Sequence, residues 1–246
     1  MPSSEPPAVR RRPSAWGWVV AGSAVIVAGG AVVLGGWWLA TSEKRIASYS
    51  VRGAVNRVTL DLAGASAVVV GGGSRRAVEV QRTDEFSFGR RARAERGVSG
   101  GVLRLRSRCP VSVLASCSAS YRVRVPDNIP VTVRTSSGNV RFSAYRGSAN
   151  IATRAGNISV GGYCGFLLEA RAESGNVQAS TSCSPERLVL RSRSGDVRAI
   201  VPAGRYRIDA DSDGGSRTVA GLTPAEDAPF QIQALSSAGD VDVETP

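Results

Sequence analysis

From about residue 56 to the C terminus, apolar and polar residues alternate in short runs, as in Tyr121-Arg122-Val123-Arg124-Val125 and Arg187-Leu188-Val189-Leu190-Arg191. A period of two sets one side of each run against a core and the other in solvent, which predicts short strands. The clusters of Gly, Ser, Asn and Asp between them read as turns, and the turns recur. Ser137-Gly138-Asn139-Val140, Ala155-Gly156-Asn157-Ile158, Ser174-Gly175-Asn176-Val177, Ser194-Gly195-Asp196-Val197 and Ala238-Gly239-Asp240-Val241 share one form, with Gly214-Gly215-Ser216-Arg217 as a degenerate copy. The marker glycines 138, 156, 175, 195, 215 and 239 lie 18 to 24 residues apart. One unit of strand, tight turn and strand is too thin to bury its own apolar face. Stacked units bury it, each adding about 4.8 Å along an axis. The pattern therefore predicts an all-β domain over 56–246, a β-solenoid (β-helix-like), with clear repeats over 131–246. Strands such as Val58-Thr59-Leu60 and Leu103-Arg104-Leu105 continue over 56–130 without the Gly-Asn marker that would set their register.

The N-terminal part follows a different rule. No charge occurs between Arg12 and Glu43, and apart from Ser23 the stretch Trp16–Ala40 is built from Val, Ala, Gly, Ile, Leu and Trp. As a helix this stretch reaches about 37 Å, enough for a hydrocarbon core of about 30 Å. All four tryptophans fall at its ends, at 16, 18, 37 and 38, where amphipathic rings meet the two water interfaces. A cleaved signal peptide has an apolar core of about 7 to 15 residues and a small-x-small cleavage site, and Trp38-Leu39-Ala40 is a poor one. The prediction is an uncleaved signal anchor over 16–40, preceded by a basic cytoplasmic tail over 1–15 and followed by a stalk over 41–55. Arg10, Arg11 and Arg12 precede the helix while Lys44, Arg45, Arg52 and Arg57 follow it, so local charge does not fix orientation. Long C-terminal domains translocate regardless of charge, which puts the N terminus in the cytoplasm and the large domain outside.

Composition narrows the chemistry. The chain has no histidine, which removes the commonest general base and zinc ligand and makes most hydrolase and metal-site chemistries poor candidates. The formal charge is +11, and it is unevenly spread: residues 41–200 carry 25 basic and 11 acidic side chains, residues 201–246 carry 3 and 8. Lys44 is the one lysine, and a GC-rich coding bias would give the same arginine excess. The four cysteines, at 109, 117, 164 and 183, form no CxxC pair of the kind thiol metal sites use. Outside the membrane they are expected as disulfides, Cys109 with Cys117 and Cys164 with Cys183, the second pair lying one repeat apart. The alternative is four reduced thiols packed as small apolar residues.

The run Tyr121-Arg122-Val123-Arg124-Val125-Pro126, then Val131-Thr132-Val133-Arg134-Thr135-Ser136-Ser137-Gly138-Asn139-Val140 and the repeated Ser/Ala-Gly-Asn/Asp-Val turns, resembles the bacterial putative-adhesin family. The ending Ala228-Pro229-Phe230-Gln231-Ile232, followed by Ser236-Ser237-Ala238-Gly239-Asp240-Val241, is similar to actinobacterial members carrying one N-terminal membrane helix. The resemblance covers about 56–246. It implies a β-solenoid outside the cytoplasmic membrane, a domain of no assigned function, and no catalytic residues to carry over. The chain departs from the pattern at Arg217, where the other turns have Val or Ile, so local distortion is expected there.

Three groups of residues are candidates for chemistry. Asp209-Ala210-Asp211-Ser212-Asp213-Gly214 matches the first half of a calcium loop, but the ninth and twelfth positions are Arg217 and Ala220, neither a ligand. The same carboxylates, Asp209, Asp211 and Asp213, suggest the alternative function of a carbohydrate-active envelope enzyme, in which paired acids cut a glycan. Register arithmetic points elsewhere: with units stacked in chain order, Asp211 and Asp213 would face Arg191 and Arg193 and pair with them. The third group is basic: Arg90, Arg91, Arg93, Arg104, Arg106, Arg122 and Arg124. Guanidinium groups pair bidentately with phosphate and carboxylate, which suits an anionic wall polymer or lipid head groups. Outside the cell nucleic acid is not an expected partner, no cofactor is implied, and the protein partner is not legible. The reading is a non-catalytic binding, adhesion or envelope-sensing module on a single-pass membrane anchor.

Overall fold

The computed structural model describes residues 42–74, 77–87, 90–110 and 117–246. The predicted tail over 1–15 and helix over 16–40 lie outside these residues. Among the described residues there is no helix, and none long and apolar enough to cross a membrane. The strands are β1 Ser42–Arg52, β2 Arg57–Ala63, β3 Ala65–Val70, β4 Ala77–Ser87, β5 Arg93–Ser99, β6 Val102–Arg108 and β7 Cys117–Arg124. They continue with β8 Val131–Ser137, β9 Val140–Ser143, β10 Ala149–Ala155, β11 Ile158–Tyr163, β12 Leu167–Ser174, β13 Val177–Thr181 and β14 Arg187–Ser194. The last are β15 Val197–Ile200, β16 Arg205–Ser212, β17 Arg217–Ala220, β18 Thr223–Pro224, β19 Gln231–Ser236 and β20 Val241–Glu244.

These strands form two ten-stranded sheets. One runs β1-β4-β7-β3-β9-β11-β13-β15-β20-β17, the other β18-β16-β19-β14-β12-β10-β8-β2-β6-β5. Each repeat crosses from the second sheet to the first through its Gly-Asx turn, so β8–β9, β10–β11, β12–β13 and β14–β15 are rungs of a stack. Neighbouring rungs pair in parallel and in register: Ile151 lies between Val133 and Ala170, and Ile158 between Val140 and Val177. The inward columns close the core. Leu105, Leu60, Val133, Ile151, Ala170, Leu190 and Ala234 come from one sheet, Val123, Val69, Phe142, Val160, Ala179, Ala199 and Val243 from the other, and all are buried. Burying each Val, Leu, Ile or Phe of these columns gives about 1.5–3 kcal/mol, which is how thin units gain stability as a stack.

The stack does not follow chain order at its ends. The rung β2–β3 lies between β6–β7 and β8–β9, and the rung β19–β20 lies between β14–β15 and β16–β17. Arg217 explains the second exchange. It occupies the column position held by buried Val140, Ile158, Val177, Val197 and Val241 in the other rungs, yet it is exposed, because its rung is the outermost one. An arginine there is compatible only with a rung that has solvent on one side.

The opposite end is built differently. There β4 pairs antiparallel with β7, and β5 antiparallel with β6. The stretch expected as a stalk over 41–55 is mostly the edge strand β1, beside β4, with Tyr49 and Val51 packed against the core. Disulfides join Cys109 to Cys117 and Cys164 to Cys183, the expected pairing, with Cα–Cα distances of 5.8 and 4.9 Å.

Candidate functional site

The repeated turns form a hydrogen-bonded ladder along one edge of the stack. Asn157 N–H donates to Asn139 Oδ1, Asn176 N–H to Asn157 Oδ1, and Asp196 N–H to Asn176 Oδ1, at 2.9, 2.9 and 3.0 Å. The ladder then passes to the chain's last turn, with Asp240 N–H on Asp196 Oδ1 at 3.0 Å, and returns to Ser216, whose N–H and hydroxyl both donate to Asp240 Oδ1. Those two donors hold the Asp240 carboxyl below its ordinary pKa. The Asn or Asp after each glycine is thus an acceptor for the next rung, a structural role. A second ladder lies just inside: Ser192, Ser236 and Ser212 donate to the carbonyls of Gly175, Gly195 and Gly239. A third occupies the return connections, where buried Tyr145 and Tyr163 reach the carbonyls of Ile129 and Gly147. The recurrence of Tyr145-Arg146-Gly147 as Tyr163-Cys164-Gly165, one repeat on, is the sequence signal for this third ladder.

The candidate arginines gather at one end of the stack. Arg104 and Arg106 point outward from β6 on one sheet, and Arg122 and Arg124 outward from β7 on the other, so they face opposite ways across the same rung. Arg90 and Arg91 lie on the connection from β4 into β5 that closes this end, and Arg93 is the first residue of β5. Arg91 sits over the Phe86 ring at 5.4 Å, and Arg96 over Tyr49 at 4.6 Å. Arg106 meets Asp61 at 3.9 Å; the other candidate arginines have no ion pair among the described residues. Beneath them Arg82 is paired with Asp84 at 2.7 Å, and both are largely buried. The acids of 201–246 collect at the far end, on β16, β20 and the segment before β19.

The carboxylates of β16 do not behave as expected. Since β19 separates β14 from β16, Arg191 is in register with Leu235 and Leu235 with Asp211, two strand spacings or about 9.6 Å apart. The predicted pairs of Asp211 and Asp213 with Arg191 and Arg193 are therefore absent. Gln233 bridges instead: Arg191 Nη2 donates to Gln233 Oε1, and Gln233 Nε2 donates to Asp209 Oδ2 at 2.7 Å. One alternation of sign does hold between true neighbours, Arg154 with Glu173 at 4.0 Å.

A groove of about 540 Å³ runs over this region, with Arg171, Glu173, Arg191 and Arg193 on one side, Asp211 and Asp213 on the other, and Leu235, Ser236 and Ser237 between. Successive outward residues of one strand stand about 6.7 Å apart, so Asp209 and Asp211 on β16 and Asp213 just beyond its end fan out along one line and do not converge on a cation. Among the described residues no group of three or more acids and cysteines could hold a metal. Glu173 lines the groove opposite Asp211 and Asp213, but its strand β12 lies three strand spacings from β16, about 14 Å, wider than the roughly 5–9.5 Å between the paired carboxyl groups of glycan cleavage.

With this geometry in place, comparison with known proteins gives a family match over part of the chain. Residues 128–244 match the Toastrack DUF4097 family. That span holds β8 to β20, the rungs with Gly-Asx turns and the exchanged last pair. Two solved structures are similar over most of the chain. A putative cell adhesion protein from Clostridium sporogenes is 10% identical, with a TM-score of 0.47, covering 83% of this chain and 100% of its own. A putative adhesin from Bacteroides fragilis is 11% identical, with a TM-score of 0.45, covering 83% and 98%. No curated protein matches the chain.

Proposed function

We propose that the chain is a non-catalytic binding module of the cell envelope, held outside the cytoplasmic membrane by a single N-terminal helix, whose basic end engages an anionic polymer or lipid head groups. The observation that carries this is the convergence of arginines far apart in sequence, Arg90 to Arg124, on the rung and capping strands at one end of the stack. Most of them lack an internal acid, so their charge is available to a partner. Basic residues beside an anionic surface contribute about 1 kcal/mol each, decaying within a Debye length of about 8 Å at physiological salt. The family match and the adhesion-type names of the similar structures are in keeping with a binding role. The test reconstitutes the full chain in phosphatidylcholine nanodiscs and titrates it with polyphosphate and, separately, with phosphatidylcholine–phosphatidylglycerol vesicles. Binding should weaken steeply with added salt, and reversing Arg90, Arg91 and Arg93 to Glu should weaken it by more than about tenfold. Binding that ignores both salt and the reversal would remove this function.

A further inference from the structure

The groove over β12, β14, β19 and β16 lies away from the basic end, and its charges are arranged for a different ligand. Its two charged sides are both incompletely used, although the arginine side also carries Glu173, which is paired with Arg154 at 4.0 Å. Arg193 on one side, and Asp211 and Asp213 on the other, have no ion-pair or hydrogen-bond partner at their charged groups among the described residues. Arg191 is fixed by Gln233 and keeps a buried Nε–H without a partner. The insertion of β19 is what keeps these charges from neutralising one another. It places half-buried Leu235 and exposed Ser237 as a floor between opposite charges, while Ser236 between them turns its hydroxyl inward to the Gly195 carbonyl.

A polyanion would meet the arginines but be repelled by Asp211 and Asp213, and a polycation would meet the reverse. A ligand carrying both signs, separated by about two strand spacings, satisfies both sides. We propose that this groove binds a zwitterionic peptide segment, its ammonium over Asp211 and Asp213 and its carboxylate over Arg191 and Arg193. An extended peptide advances about 3.4 Å per residue, so a span near 10 Å corresponds to about three residues with free termini. The volume is within the range of small-ligand sites, and Leu235 offers an apolar contact for the middle of the segment.

The probe is trialanine, titrated against the full chain in phosphatidylcholine nanodiscs and followed by calorimetry, beside N-acetyl-trialanine and trialanine amide. Saturable binding of the free peptide is expected, with each blocked form weaker by about two- to fivefold, the contribution of one exposed charge contact. In the double variant Asp211→Asn, Asp213→Asn, the free and N-acetylated peptides should bind alike; in Arg193→Gln, the free and amidated forms should draw together. These side chains are exposed, so the variants should keep the parent's melting temperature. Reversal of Arg90, Arg91 and Arg93 should leave trialanine binding unchanged, which separates this site from the basic end. Equal binding of all three peptides, or no saturable binding of any, would overturn the proposal.

Discussion

At Gly175 two rungs come too close for any side chain: a Cβ there would lie 2.3 Å from the Gly156 carbonyl oxygen, and φ is +131°, where L-residues are strained. Gly175→Ala is expected to cost more than about 2 kcal/mol in urea unfolding. Gly97→Ala on β5, where nothing lies within 4 Å and φ is ordinary, should change stability by less than about 0.5 kcal/mol. The repeat was legible in the sequence because glycine leaves no substitute at such a contact, whereas the reason for the following Asn or Asp was not. Read alone, that residue is a turn former; in the stack its Oδ1 is a rung-to-rung acceptor. The buried tyrosines make a second prediction at this scale. Burial raises the pKa of Tyr145 and Tyr163 well above the ordinary 10. The sign follows: the folded state keeps the phenols neutral while the unfolded chain ionises, so their contribution is intact below pH 10 and lost as pH rises. Stability should fall above about pH 10, by up to about 1.4 kcal/mol per pH unit for each phenol held neutral. Tyr145→Phe, Tyr163→Phe should flatten that slope, Tyr49 and Tyr121 supplying the remainder, as thermal melts across this range would show.

Among the elements, the order of rungs was the part least legible in sequence. Period two and turn spacing give strands and units, but no local feature says that β19–β20 inserts between β14–β15 and β16–β17. The departure at Arg217 was a signal pointing that way: a charged residue in an otherwise buried column marks an outermost rung, not a distorted internal one. The same exchange dissolves the expected Asp211–Arg191 pair and creates the Gln233 bridge, so the groove's character depends on topology that register arithmetic in chain order misses. It also keeps the C-terminal strands paired on both sides and leaves the edge to short or charged strands, which discourages association with other chains. Removing residues 227–246 takes away the rung on which β16 and β17 rest. Hydrogen exchange should then show loss of protection across 205–220 while 131–181 stays protected. Retained protection at 205–220 would mean that β16–β17 can dock directly on β14–β15. The disulfide between Cys164 and Cys183 ties the return connections of adjacent rungs, and replacing both by Ala should lower stability by about 3 kcal/mol.

Over the whole described domain, the uneven charge of the sequence becomes a charge separation along the stacking axis. The arginines of β5, β6, β7 and the connection into β5 mark one end, and the acids of β16, β20 and the preceding loop mark the other. Counting charges along the chain anticipated the asymmetry, but not that Arg104 and Arg106 face away from Arg122 and Arg124, wrapping one end on both sides. A partner reaching that end would therefore contact edges and both faces, not a single flat patch. The most direct measurement is a hydrogen-exchange footprint of the full chain in nanodiscs with and without polyphosphate at low salt. Slowed exchange confined to residues 77–124 is the predicted result. A footprint spread evenly along the stack, or centred on residues 205–244, would contradict it.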